Sequence, residues 1–150
     1  MHDGYFEDWT IGERIETGSL PVTRESVLAF ARDYDPQPFH LDDAAAERSL
    51  FGKLAASGWQ TASCAMRLLV DARVFTAGGG VGLGVDELRW LHPVYPGDTL
   101  NVVAELLDKR SSSGDKPSGV VRFKMTTYNQ TGDAVMSHVA IALVPKRTAA

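Results

Sequence analysis

Hydrophobic positions change their period about halfway along this chain. In the first half they recur at helical spacing: Val27, Phe30, Ala31 and Tyr34 make one stripe, and Ala62, Cys64, Ala65, Met66, Leu68, Leu69 and Val70 fill a longer segment that is apolar on most faces. In the second half they alternate, most clearly at Leu100, Val102, Ala104 and Leu106 and at Val121, Phe123 and Met125. The pattern predicts a short strand over Glu13 to Ser19, then a helix capped by Thr23 that carries the first stripe into a core. Pro36 and Pro38 end that helix, His40 follows in a loop, and Asp42 caps a second small helix through Ala44 to Arg48. Ser57-Gly58 opens a central helix from Trp59 to Phe75, long enough at about 1.5 Å per residue to cross a small domain, which Gly78-Gly79-Gly80 terminates. Four strands follow, over Val81 to Trp90, Thr99 to Arg110, Gly119 to Asn129 and Asp133 to Val144. Segments rich in Pro, Gly, Asn and Ser separate them: Pro93 to Asp98, Ser111 to Ser118, and Asn129 to Asp133.

Helices early and strands late favour α+β, an antiparallel sheet wrapped around one buried helix, over a parallel βαβ arrangement. About five strands around one helix leave sheet edges open, and pairing two copies would cover them, so a homodimer is expected. A chain of 150 residues, 44% hydrophobic, is expected to form a single domain over 1–150. The formal charge of −4 with scattered basic residues offers no footprint for nucleic acid. The apolar run Leu54 to Ala77 is interrupted by Arg67, Asp71 and Arg73, so no membrane span is expected. The Met-His-Asp-Gly start lacks a signal-peptide pattern and the lone Cys64 precludes an internal disulfide, so a cytoplasmic location is expected.

Candidate chemistry concentrates in Asp35-Pro36-Gln37-Pro38-Phe39-His40. The prolines fix their own φ and bias Asp35 and Gln37 towards extended backbone, which pre-orders a carboxylate and an imidazole on one loop. General acid/base catalysis needs that order, because both groups must reach one substrate atom. The competing reading makes Asp35 a turn residue and His40 a satisfied loop histidine. Cys64, among apolar neighbours, reads as core; His92 reads as structural or surface, and His138, alternating along a strand, as non-catalytic. Gly78 to Gly84 lacks the Lys-Ser/Thr of a phosphate loop and reads as a helix stop and a flexible lead into the next strand.

Asp35 to Asp42 resembles the D-x-N-P-x-H signature of MaoC-like dehydratases and (R)-specific enoyl-CoA hydratases. Ala56-Ser57-Gly58-Trp59-Gln60-Thr61 and Leu88 to Asp98 fall where that family has its further conserved segments. The resemblance implies the hot-dog fold. It also implies reversible hydration of the 2-enoyl group, or dehydration of the 3-hydroxyacyl group, of an acyl thioester, most simply an acyl-CoA of fatty acid metabolism. Asp35 and His40 would be the acid/base pair, and Gln37 and Pro38 would orient the loop. Gly58, with Ser57 beside it, would offer the backbone N–H that receives charge on the thioester oxygen, as unpaired donors at a helix N-terminus can. No metal or separate cofactor is implied, coenzyme A arriving as part of the substrate. The family's Asn is Gln37 here, one methylene longer. Two alternatives remain: a hot-dog thioesterase, for which the long helix offers only Asp71, and a non-catalytic acyl-thioester binding subunit.

Overall fold

The structure, a computed structural model, describes residues 2–75 and 78–147. Strand β1, Arg14–Pro21, leads to helix α1, Arg24–Tyr34, capped by Thr23 as expected: its Oγ1 accepts from the Ser26 N–H at 3.1 Å. Val27 and Ala31 of the predicted stripe are fully buried, but Phe30 is only half-buried, and Tyr34, at the last position of α1, is 75% exposed. The stripe outruns the core it packs on.

The loop bearing His40 is itself ordered. Pro38 opens one helical turn, α2 (Pro38–Leu41), at the position where its missing N–H has no intrahelical partner to lose. Asp42 caps α3 (Asp43–Glu47), accepting from the Ala45 N–H at 2.9 Å.

The central helix α4 spans Gly58–Asp71, about 21 Å. It ends four residues before the predicted Phe75 and well before the glycines. The stop is a backbone device: Arg73 takes φ 54°, the Arg73 N–H bonds to the Val70 carbonyl at 3.0 Å, and the Val74 N–H bonds to the Leu69 carbonyl at 3.1 Å. This is the Schellman geometry, which usually recruits glycine at the left-handed position. Thr76 and Ala77, the end of the predicted apolar run, lie outside the described residues.

Strands β2 (Val81–Trp90), β3 (Thr99–Ser111), β4 (Ser118–Tyr128) and β5 (Ala134–Pro145) fall within a residue or so of the alternation. All five strands form one antiparallel sheet in the order β1-β3-β4-β5-β2. Leu100, Val102, Ala104, Leu106, Val121, Phe123 and Met125 face inward and are fully buried. The turn from β4 to β5 is a hairpin, with Gly132 at φ 83° and Asn129 Oδ1 accepting from the Thr131 and Asp133 N–H groups at 3.0 and 3.1 Å. Pro93 to Asp98 is not one. It carries the chain from β2 at one edge to β3 beside the opposite edge, because β2 pairs with β5. This crossover runs past the start of α4, where the Ala56 N–H bonds to the Val94 carbonyl at 2.8 Å. A curved sheet around one helix is the hot-dog fold expected above. Among the described residues no helix is long and apolar enough to cross a membrane.

Candidate active site

Three separate stretches of chain meet at the N-terminus of α4 around a cavity of about 410 Å³. The first supplies Asp35, Gln37 and His40, the second Ser57 and Gly58, and the third runs from Trp90 at the end of β2 to Val94 in the crossover. Five of the six residues singled out from sequence line this space. Pro38 does not line it; its place is at the start of α2.

Asp35 sits at the C-cap of α1 and His40 in α2, with His40 Nε2 3.3 Å from Asp35 Oδ2 and side chains 5% and 17% exposed respectively. His40 Nδ1 lies 2.6 Å from the Ala55 carbonyl. A carbonyl only accepts, so Nδ1 carries a proton and Nε2 is the nitrogen turned to the carboxylate and the cavity. Asp35 is held from two further sides: Ser57 Oγ donates to Oδ2 at 2.7 Å and Gln37 Nε2 donates to Oδ1 at 2.7 Å. Burial works against its ionisation, but the bonds from Ser57 and Gln37 and the nearby His40 prevail and hold its pKa below the ordinary 3.8. Asp35 is therefore a carboxylate at neutral pH. The longer Gln37 reaches the Asp35 carboxylate directly, so the extra methylene still delivers an amide donor.

Ser57 caps α4, accepting from the Trp59 N–H at 3.3 Å while it donates to Asp35. One hydroxyl thus ties the helix start to the carboxylate. The Gly58 N–H, first in α4, has no acceptor among the described residues and faces the cavity end of the helix dipole. On its other side, Gly58 is filled by an indole. A Cβ there would lie 2.6 Å from Trp90 Cε2, and Trp90 Nε1 donates to the Gly58 carbonyl at 2.8 Å. Trp90 also meets Trp59 edge to face, with centroids 5.0 Å apart. The glycine is thus required by close packing of Trp90 from the end of β2, a reason the sequence did not reveal.

Phe39, Phe51, Trp90 and Leu91 are site residues that sequence reasoning missed. The aromatic content of the segments around Phe39, Phe51 and Trp90 was the available signal. His92 lies exposed at the rim, and Cys64 is half-buried against the core, where burial raises its thiol pKa. Asp71 is the last residue of α4, at the far end from the site, paired with Arg67 at 2.9 Å. Among the described residues no group of three or more His, Cys, Asp or Glu side chains is placed to hold a metal ion.

A carboxylate–imidazole pair set against a helix N-terminus on a hot-dog scaffold is the arrangement expected from the family resemblance of the Asp35 to His40 segment. The chain belongs to the MaoC-like domain family, whose sequence model matches residues 7–129. It is 41% identical to the MaoC-like dehydratase from Rhodospirillum rubrum, with a TM-score of 0.91 over 97% of this chain and 99% of that one. It is 31% identical to the uncharacterized protein YdeM of Bacillus subtilis over 83% of this chain and 86% of that protein. The R-hydratase PhaJ1 from Pseudomonas aeruginosa superposes with a TM-score of 0.79 at 27% identity, covering 97% and 88% of the two chains.

Proposed function

We propose that this protein adds water reversibly across the 2-enoyl group of an acyl thioester, most simply an acyl-CoA, to give the 3-hydroxyacyl thioester. The observation that carries this reading is the ionised Asp35 beside His40 Nε2, both lining a cavity at the start of α4, where the Gly58 N–H has no acceptor among the described residues.

In the hydration direction a water held between Asp35 and His40 Nε2 loses a proton to the pair as its oxygen bonds to the β-carbon. The α-carbon then takes a proton, so one H₂O is consumed and nothing is oxidised. Charge builds on the thioester oxygen as the carbon–oxygen bond forms, and the Gly58 N–H is the donor placed to receive it. Ser57 and Gln37 keep Asp35 ionised and aimed. Asp71 lies at the other end of α4, which leaves the thioesterase reading without a carboxylate from that helix at the site.

We also infer a homodimer. Val81, Leu83 and Val85 are exposed on edge strand β2, and Trp59, Met66 and Val70 are exposed on α4. A second copy pairing at that edge would cover both.

The test follows loss of enoyl-thioester absorbance and release of free thiol together, for short and medium 2-enoyl-CoAs. Wild type should consume the enoyl group without releasing thiol, and Asp35→Asn should keep the fold while slowing turnover by about 10²-fold to 10⁴-fold. A near wild-type rate in Asp35→Asn refutes the assignment, and thiol release would establish a thioesterase instead.

A further inference from the structure

The space under α4 extends well past the acid/base pair. The helix packs closely on β1 and β3, but between it and β2 and β5 lie two adjoining cavities of about 430 Å³ each. They share Met66, Leu69, Val85 and His138, and the nearer one shares Trp59 with the cavity that holds Asp35 and His40. A row of cavities thus follows one side of α4 from its start, and its Trp59, Met66 and Val85 belong to the exposed face that the second copy would cover. Most of its wall is hydrocarbon or glycine.

His138 is the polar side chain common to both cavities; the exposed Arg73 lines only the one farther from the start of α4. The pairing of β4 with β5 sets His138 opposite Met125, so it shares the inward face of the sheet. Its Nδ1 is sealed from solvent without a hydrogen-bond partner, and its Nε2 has none among the described residues. Burial, helped by the charge of Lys124, lowers its pKa below 6.5, so the ring is neutral near pH 7, with one donor and one acceptor. A buried polar group left unpaired destabilises the fold, where a leucine at the same place would not. Nε2 is the nitrogen left open, and a ring nitrogen without a partner among the described residues, beside a largely apolar cavity, is what a binding site for a polar ligand atom looks like before the ligand arrives.

We propose that His138 is a recognition residue for the acyl chain, hydrogen-bonding an uncharged oxygen, a hydroxyl or keto group, carried far from the reacting carbons. This rests on the acyl-thioester reading above and specifies its substrate class. Met66 and Leu69, which line the same cavities as His138, lie about 12 to 16 Å along the helix axis from Gly58, so the oxygen sits towards the end of a medium-length chain. The oxygen is uncharged because a neutral imidazole cannot offset the desolvation of a carboxylate, and Arg73 is exposed and does not line the cavity nearer the reacting carbons.

The experiment measures binding, which needs no turnover. Dissociation constants are obtained by calorimetry for hexanoyl-, octanoyl- and decanoyl-CoA and their ω-hydroxylated counterparts, on wild type, His138→Leu and His138→Gln. Circular dichroism and light scattering check the fold and size of each variant. At one or more of these lengths wild type should favour the hydroxylated chain by about tenfold. His138→Leu should reverse that preference, and His138→Gln should keep part of it.

The same preference in wild type and His138→Leu at every length overturns the inference. So does a uniform weakening of all chains, or a change of assembly size in His138→Leu, either of which makes the ring a packing group. Enoyl-CoA hydration without any His138-dependent discrimination refutes this inference and leaves the reading under it intact. Discrimination without hydration does the reverse, and failure of any acyl-CoA to bind sinks both.

Discussion

Replacing Ser57 with alanine removes one hydroxyl and, with it, two separable functions. The side chain is fully buried; its oxygen accepts from the Trp59 N–H at 3.3 Å and its proton goes to Asp35 Oδ2 at 2.7 Å. Loss of the cap costs about 1 kcal/mol, which for a chain of this size lowers Tm by about 2–4 °C. Loss of the bond to Asp35 removes a charge-assisted interaction worth about 1.5–3 kcal/mol to the carboxylate form. The sign follows from the direction of the shift. The Asp35 pKa is depressed in the folded protein, so its contribution to stability is present above the unfolded value near 3.8 and is lost as pH falls through the lower folded value. In Ser57→Ala the folded pKa rises towards the unfolded one. The Tm deficit should therefore exceed the cap contribution at pH 7 and shrink towards it as the acid range is entered. The acid limb of kcat/KM for enoyl-CoA hydration should move to higher pH. Circular dichroism melts across pH, with rate profiles on the same preparations, read both effects. A Tm deficit independent of pH together with an unmoved acid limb would show that the hydroxyl is a cap and nothing more.

Gln37→Ala removes the other donor to Asp35 from an exposed position, so stability should change by less than about 0.5 kcal/mol while the acid limb moves upward; an unmoved limb would reduce Gln37 to a loop residue. Gly58→Ala drives a Cβ into the Trp90 indole and should lower kcat/KM at least about tenfold, with a change in tryptophan fluorescence. Adding Trp90→Ala should restore part of the rate if that clash is the cause, and no recovery would mean that the methyl obstructs the substrate itself. Arg73→Gly relieves a left-handed backbone at φ 54° and should stabilise the protein by about 1 kcal/mol, read as a raised denaturation midpoint with unchanged m-value; a lowered midpoint would show that the arginine side chain contributes more than its backbone strain removes.

Much of the architecture is legible because it is encoded locally. Alternation at Leu100 to Leu106 and Val121 to Met125 follows from the pleat, and Thr23, Asp42 and Ser57 announce helix starts through side chains that cap within three residues. The Asp35 to His40 loop is likewise local, since two prolines fix most of its backbone. Its resemblance to a known signature carried the reading from geometry to chemistry. The end of α4 escaped notice because the left-handed residue is Arg73, a position that propensity assigns to glycine.

The remaining features depend on partners distant in sequence. The pairing of β2 with β5 makes Pro93 to Asp98 a crossover, and the same pairing sets Trp90, at the end of β2, against Gly58. Folding also lays Ser57 on Asp35, 22 residues away, and turns His138 into space that α4 leaves open. Sequence by itself determined most of the elements, their order and the short segment that carries Asp35 and His40, because hydrogen bonds within a turn and the period of a strand act over a few residues. Only the tertiary structure decided what fills the glycine, what holds the carboxylate ionised and where the unpaired imidazole points, because close packing and desolvation arise only once remote segments meet.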